Sequence, residues 1–131
     1  MTARVLQPKG WVRPRGYANG MSASGRLVFV SGMIGWDASA ALVPGDLVAQ
    51  ARQALANIVA VLAEDGARAE HLVRLTWYVT DRAAYVQAAK PLGAAYREVI
   101  GKHFPTMSVV EVSALMEPGA VVEIEATAVV P

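Results

Sequence analysis

The segment HLVRLTWYVTD, residues 71–81, decides how the rest of this 131-residue chain can fold. Large apolar side chains take every second position and polar ones fill most positions between them, which is the period of a strand with one covered face. The apolar series is Val73, Leu75, Trp77 and Val79. Asp81 follows and suits the N-cap of a helix. A strand of this kind requires a second layer that covers its apolar face.

The segments that precede and follow this strand in the sequence are both predicted to be helical and to supply the covering layer. Upstream, PGDLVAQARQALANIVAVLAEDG repeats apolar residues at helical spacing, with Asp46 as the N-cap and Gly66 as the C-terminal stop. Downstream, residues 82–102 also have a helical pattern. Pro91 cannot donate a backbone hydrogen bond, so we predict two helical pieces there, with Pro91 in the first turn of the second.

Further strands complete the predicted sheet. RLVFVSGMIGW, residues 26–36, is rich in β-branched and aromatic residues and follows the turn signal SASG, so we predict the second strand of a hairpin. MSVVEVSAL and AVVEIEATAVV flank MEPG, whose Pro118-Gly119 pair marks a turn between two final strands. This order of elements predicts an α+β fold with the helices on one face of a sheet. We expect a single domain, residues 1–131.

The composition narrows the classes of partner. Hydrophobic residues make up 54% of the chain and charged residues 18%, so we expect part of the apolar surface to be buried between the subunits of a homo-oligomer. The net charge is +1 and the basic residues are scattered, which disfavours nucleic acid as a partner. The longest apolar stretch, ALANIVAVLA, is too short to span a bilayer, so we expect no membrane insertion.

The absence of certain residue types and motifs excludes several kinds of catalytic and binding site. The chain contains no cysteine, which excludes thiolate nucleophiles and fits a reducing compartment; with no export signal visible, we expect a cytoplasmic protein. His71 and His103 lie far apart in the sequence, and neither an HExxH motif nor a glycine-rich phosphate loop occurs. We therefore expect no metal and no cofactor.

Six segments of the chain resemble one known family in order and spacing. They are RGYANG, FVSGMIGW, AQARQALANIVAVLAEDGA, WYVTD, FPTMSVVEV and VEIEATAVV, and together they reach from about Gly16 to Val130. The chain resembles the reactive intermediate deaminase (Rid) family, also called YjgF-like. This resemblance implies a chorismate-mutase-like fold with a mixed sheet and two main helices on one face, and a homotrimer with sites between neighbouring subunits. It also implies hydrolysis of imines or enamines to a carbonyl compound and ammonia, without metal or cofactor.

The resemblance also indicates which residues form the site. Tyr17 stands where the family has a tyrosine, and Ser31 matches the serine of its SGQ-type segment, with Met33 in place of the glutamine. Glu123 matches the first glutamate of the IEIEA-type segment, a position associated with holding the attacking water. The family's asparagine is missing, since the nearest positions carry Ala89 and Lys90.

Met107 is the largest departure from the family pattern. Active members carry an arginine there, and its guanidinium grips a substrate carboxylate through two donors. A hydrogen bond to a charged group contributes about 1.5 to 3 kcal/mol. A carboxylate opposite Met107 should thus bind roughly ten- to a hundredfold more weakly. We expect a preference for larger, less acidic substrates, or for ones with a more distant carboxylate, unless Lys90, Arg15 or Arg74 replaces the missing cation.

Alternatives remain open at the level of residues and of function. Glu123 alternates with apolar residues, which is also the pattern of a solvated strand face; Tyr17 could pack a hairpin, and Ser31 could satisfy strand hydrogen bonds. The favoured function is a divergent imine or enamine deaminase-like hydrolase. The alternative is a non-catalytic trimer that binds a small metabolite and assists or regulates a pathway enzyme. Some family members were earlier described as ribonucleases, a role that the scattered basic residues do little to support.

Overall fold

The computed structural model describes residues 3–131. Its strands are β1 (Arg4–Leu6), β2 (Gly20–Ser22), β3 (Arg26–Met33), β4 (Leu72–Val79), β5 (Thr106–Glu111) and β6 (Val122–Val130). Its α-helices are α1 (Leu47–Ala63), α2 (Arg82–Gln87) and α3 (Ala89–Val99), and a short 3₁₀ helix at Ala69–His71 leads into β4.

The main sheet is mixed and has the strand order β3-β6-β4-β5. Strand β4 pairs parallel to β5 and antiparallel to β6, and β6 pairs antiparallel to β3 on its other side. β1 and β2 form a separate two-stranded ribbon. Because α1 packs on β3 and β6 and also on α3, the helices cover one face of the sheet. The predicted α+β fold, with a mixed sheet and two main helices on one face, is confirmed.

The predicted hairpin that ends in β3 is wrong. β2 pairs with β1, while β3 pairs with β6, so that Arg26 lies opposite Val130. Gly25 gives the physical reason: its backbone runs so close to Val130 that a Cβ atom at Gly25 would stand 2.1 Å from the Val130 carbonyl oxygen. The turn signal SASG is therefore a corner at which the chain leaves the ribbon and joins the last strand of the sheet.

The predicted helix boundaries are confirmed by their caps. The Asp46 carboxylate accepts hydrogen bonds from the amides of Val48 and Ala49 at 3.1 and 3.2 Å, which satisfies donors that have no partner within the helix. Asp81 caps α2 in the same way through the amide of Ala84. Pro91 is the third residue of α3, where its missing N–H costs little.

The two faces of the sheet have different surroundings. On the helix face, α1 buries Leu55, Ile58 and Leu62 completely against the strands. The opposite face, which we call the open face, is not covered by a helix within residues 3–131 and exposes large apolar side chains. Leu27, Phe29 and Val110 are 58%, 70% and 45% exposed there. In residues 3–131, no helix combines the length and apolarity that crossing a membrane requires.

Candidate functional site

A cleft of about 550 Å³ lies between the helices α2 and α3 and the edge strand β5. Five aromatic side chains from five parts of the chain line it: Tyr17, Trp77, Tyr85, Tyr96 and Phe104. The tertiary fold creates this wall, because only packing of the loop, the central strand, both helices and the segment before β5 brings these rings together. Pockets with mostly aromatic and apolar walls are the usual binding sites of small molecules.

The aromatic wall is held in place by ring packing and one strong hydrogen bond. Trp77 and Tyr85 meet edge to face with ring centroids 6.2 Å apart, while Tyr96 stacks on Phe104 at 5.4 Å. The Tyr96 hydroxyl donates to the His103 carbonyl oxygen at 2.6 Å. Burial raises the pKa of Tyr85 and the pKa of Tyr96 above their ordinary value, so both rings remain uncharged at neutral pH.

Tyr17 and Met107 are brought together at the rim of this cleft. The amide of Ala18 donates to the Pro105 carbonyl oxygen at 3.1 Å, and this bond ties the loop that carries Tyr17 to the start of β5. Met107 lies beside buried Leu75 in the strand register and packs partly against the core. Both side chains also line a second cavity of about 570 Å³ below the β1–β2 ribbon. They therefore stand between two concave surfaces.

The cations that could replace the missing arginine lie at different surfaces. Arg15 lines the aromatic cleft, Arg74 lines the second cavity, and Lys90 lines neither of these two. Arg97, near the end of α3, also lines the cleft. The sequence interpretation missed Arg97. Its signal was Gly93 four residues earlier, because residues at this spacing are neighbours on a helix and a glycine inside a helix calls for an explanation.

Ser31 and Glu123 lie apart from the cleft, on the open face where β3 meets β6. A Cβ atom at Gly32 would stand 2.6 Å from Oε2 of Glu123, so the Glu123 carboxylate rests directly on the β3 backbone. The β-bulge between Val30 and Met33 occurs at this contact, as expected where a glycine interrupts a strand. Gly32 is thus a second residue that the sequence interpretation missed.

A tyrosine stands beside the two carboxylates of β6. Tyr78 lies opposite Glu123 in the register, and its hydroxyl donates to Oε1 of Glu125 at 2.7 Å. This hydrogen bond, together with desolvation and the negative charges of both glutamates, raises the pKa of Tyr78. Tyr78 therefore stays protonated and keeps its hydrogen bond to Glu125. Glu123, by contrast, has no hydrogen-bond or ion-pair partner among the side chains of residues 3–131.

One chain does not bring the five predicted site residues into a single pocket. Tyr17 and Met107 share the rim of the cleft, whereas Ser31 shares a concave surface with Glu125, and Glu123 lies against Gly32, the residue after Ser31. Met33 pairs with Ile124 and packs partly buried against the core on the helix face. Their assignment as substrate-binding and catalytic residues remains a prediction.

Comparison with known proteins agrees with this fold. The family described as Endoribonuclease L-PSP matches residues 12–130. The chain is 40% identical over 111 residues to protein DfrA of Myxococcus xanthus, covering 81% of this chain and 78% of DfrA. It is 35% identical over 105 residues to the 2-iminobutanoate/2-iminopropanoate deaminase of Capra hircus, covering 79% and 73% of the two chains. Among solved structures, the Rid-family protein YyfB of Yersinia pestis matches with a TM-score of 0.84 and 35% identity over 99% of this chain and 100% of YyfB. The chain therefore belongs to the YjgF/Rid family.

Proposed function

We propose that the protein is a divergent imine or enamine deaminase-like hydrolase that acts on a small metabolite as a cytoplasmic homotrimer. The observation that carries this proposal is the Glu123 carboxylate, which rests on the backbone at Gly32 with no charge partner among residues 3–131 and matches the family position associated with the attacking water. Family membership supports the reaction class, since relatives of this chain include imino acid deaminases. The scattered basic residues give no support to nucleic acid as a partner.

The division of the site residues supports a trimer with sites between subunits. Glu123 lies on the open face, whereas Tyr17 and Met107 lie at the cleft, so a site that uses all of them requires two chains. The exposed Leu27 and Phe29 on the open face provide apolar surface for such an association. In the trimer, Glu123 of one subunit would face Tyr17 and Met107 of the next.

The proposed reaction uses water as its only co-reactant. Glu123 accepts a hydrogen bond from a water, removes its proton as the oxygen forms a bond to the imine carbon, and passes that proton to the imine nitrogen. Glu123 then takes the hydroxyl proton of the resulting tetrahedral carbon and delivers it to the amine, so that the C–N bond breaks, ammonia leaves and the carbonyl forms. Tyr17 and Ser31 would orient the substrate by hydrogen bonds, and Met107 would provide apolar contact. Met33 packs against the core on the helix face and takes no part in this step.

The cleft favours a larger substrate than the small 2-imino acids. Met107 offers no donor to a carboxylate, and the aromatic wall beside it gives apolar surface that a substrate with only one or two side-chain carbons cannot fill. We therefore expect higher kcat/KM for imines with aromatic or branched side chains.

The test measures ammonia and carbonyl product from freshly generated imines of different size and charge. Glu123→Gln should lower kcat by about 10² to 10⁴-fold, the usual contribution of a general base, with little change in KM. Glu117→Gln, which removes the same charge from an exposed loop position, serves as the matched control and should leave kcat unchanged. If the wild-type protein hydrolyses no imine of the panel, the proposed enzyme function is wrong.

A binding role without catalysis is the second candidate, favoured by Met107 at the arginine position beside a well-formed cleft. Such a protein would assist or regulate a pathway enzyme by holding a metabolite. This candidate predicts that the wild-type protein binds ligands in the cleft without turning them over. Any effect of Glu123→Gln would then be a change in ligand affinity.

A further inference from the structure

We propose that Arg97 is the anion-binding residue of the aromatic cleft, so that the substrate combines an aromatic or bulky apolar body with a carboxylate placed away from Met107. That the bound molecule is a substrate rests on the proposed function. That the cleft binds an anion rests on the residues of the cleft alone. Under this proposal, the substrate's charge is recognised by Arg97 on helix α3, and no longer at the position of Met107.

The first observation is the charge of the cleft. Its lining residues include the guanidinium groups of Arg15 and Arg97 and no carboxylate. Glu98, the acidic neighbour of Arg97 along the helix, is engaged elsewhere, since its Oε2 lies 2.8 Å from Nε of Arg52. Within residues 3–131, no carboxylate oxygen lies within 4.0 Å of the Arg97 guanidinium. The cleft is therefore positive, and no carboxylate of residues 3–131 neutralises its charge.

The second observation is Gly93, one helical turn before Arg97. A glycine inside a helix destabilises it relative to alanine, so a reason for its presence is to be sought in packing or function. A Cβ atom at Gly93 would stand 3.3 Å from Nη1 of Arg97, closer than an ordinary contact. The missing side chain thus lets the guanidinium lie against the helix surface and over the cleft.

The third observation is an unpaired donor on a residue of the cleft wall. Trp77 is 4% exposed and lines the cleft, and its indole N–H has no hydrogen-bond partner within the described chain. Buried donors are nearly always paired, so an unpaired donor on a residue of the cleft wall calls for an explanation, such as an acceptor supplied from outside the chain. The indole nitrogen is itself buried, so the directed contact from the cleft falls to the cation, and a cation beside apolar walls is the arrangement that recognises a carboxylate-bearing apolar molecule.

Arg97 is a better anchor than the other cation of the cleft. It projects from α3, whereas Arg15 belongs to the loop before β2. A group on a helix is held more closely in one geometry than a group on a loop, and a planar guanidinium binds a carboxylate through two parallel hydrogen bonds. We therefore expect Arg15 to strengthen the field of the cleft and Arg97 to make the directed contact.

The experiment uses two inert probes of nearly equal shape, 3-phenylpropanoate and its neutral amide, and measures their dissociation constants by calorimetry. The wild-type protein should prefer the anion, and Arg97→Gln should weaken anion binding about tenfold while leaving the amide unchanged. Lys102→Gln removes the same charge from an exposed position nearby and should have no effect. The anion preference should also decrease with added salt.

A second variant tests the same idea without removing the charge. Gly93→Ala should raise the midpoint of thermal unfolding, because alanine favours the helix, yet weaken anion binding, because the guanidinium must move. If Arg97→Gln leaves the preference for the anion intact, or if Arg15→Gln alone abolishes it, the assignment of Arg97 is wrong.

These outcomes are separable from those of the proposed function. Binding of the anion that depends on Arg97, in a protein that hydrolyses no imine, would support the anion site and refute the deaminase. Hydrolysis of aromatic 2-imino acids with a kcat/KM that Arg97→Gln does not change would support the deaminase and refute the anion site.

Discussion

Replacing Gly32 by alanine tests whether the Glu123 carboxylate must rest on the β3 backbone. The added Cβ would stand 2.6 Å from Oε2 of Glu123, while ordinary van der Waals contact begins at 3.4 Å. The carboxylate must therefore move by about 0.8 Å, the difference between these two distances. A displacement of about 1 Å of a reacting group can cost about 10²-fold in rate. We expect Gly32→Ala to lower kcat for imine hydrolysis by about that factor.

The assay follows ammonia release under saturating imine, with urea unfolding measured in parallel. Gly66→Ala is the control, because Gly66 has a φ of +70° with open space around it, so alanine there strains the backbone far from the site. The control should lose stability and keep kcat, whereas Gly32→Ala should lose kcat beyond any loss of stability. A kcat for Gly32→Ala within about threefold of wild type, in a protein whose Glu123→Gln variant is inactive, would show that the carboxylate does not need this position.

Three further predictions concern specificity, pH and the core. Met107→Arg should raise kcat/KM for small 2-imino acids about tenfold or more, because the guanidinium restores two donors to the carboxylate. The comparison substrate is an aromatic imine, whose kcat/KM should not rise. Equal gains for both substrates would contradict a role of Met107 in specificity. Because the pKa of Tyr96 is raised by burial, this tyrosine ionises first in the unfolded chain, so its contribution to stability should be constant below pH 10 and fall as the pH rises further. Tyr96→Phe should make that alkaline decline in urea-unfolding free energy shallower, and an unchanged slope would contradict this. Leu55→Ala should reduce the free energy of unfolding by about 2 to 5 kcal/mol, because the fully buried side chain leaves a cavity; a loss below about 1 kcal/mol would mean that the core collapses around it.

Met107 leaves the start of β5 without the cation that the family pattern has there. Without a guanidinium at the start of β5, the cleft keeps its aromatic wall and has a cation on its helical side instead. If Arg97 binds the anion as proposed, the substrate is one of the two types that the sequence allowed, a large molecule with a more distant carboxylate. Arg74, by contrast, belongs to the other cavity at Met107, and Lys90 borders neither surface.

Local signals were sufficient for much of the fold. The alternation in β4 and the capping residues Asp46 and Asp81 predicted their elements correctly, because side-chain period and orphan amides act within a few residues. Pro91 correctly marked the start of the second helical piece, because the missing N–H of proline is tolerated only in a first turn. Resemblance to the family pointed to Tyr17 and Met107, and the structure places both at the same two cavities.

What the tertiary structure alone decided is which distant residues meet. The turn signal before β3 suggested a hairpin, yet the strand pairs with the end of the chain, because strand pairing depends on which apolar faces the helices can cover together. The contact of Gly32 with Glu123 crosses two strands, and the cleft that contains Arg97 requires a loop, a strand and two helices to pack first. The sequence by itself determined the elements and their apolar faces, since these depend on neighbouring residues. The site depends on contacts between residues far apart in the chain, and only the folded structure decides those.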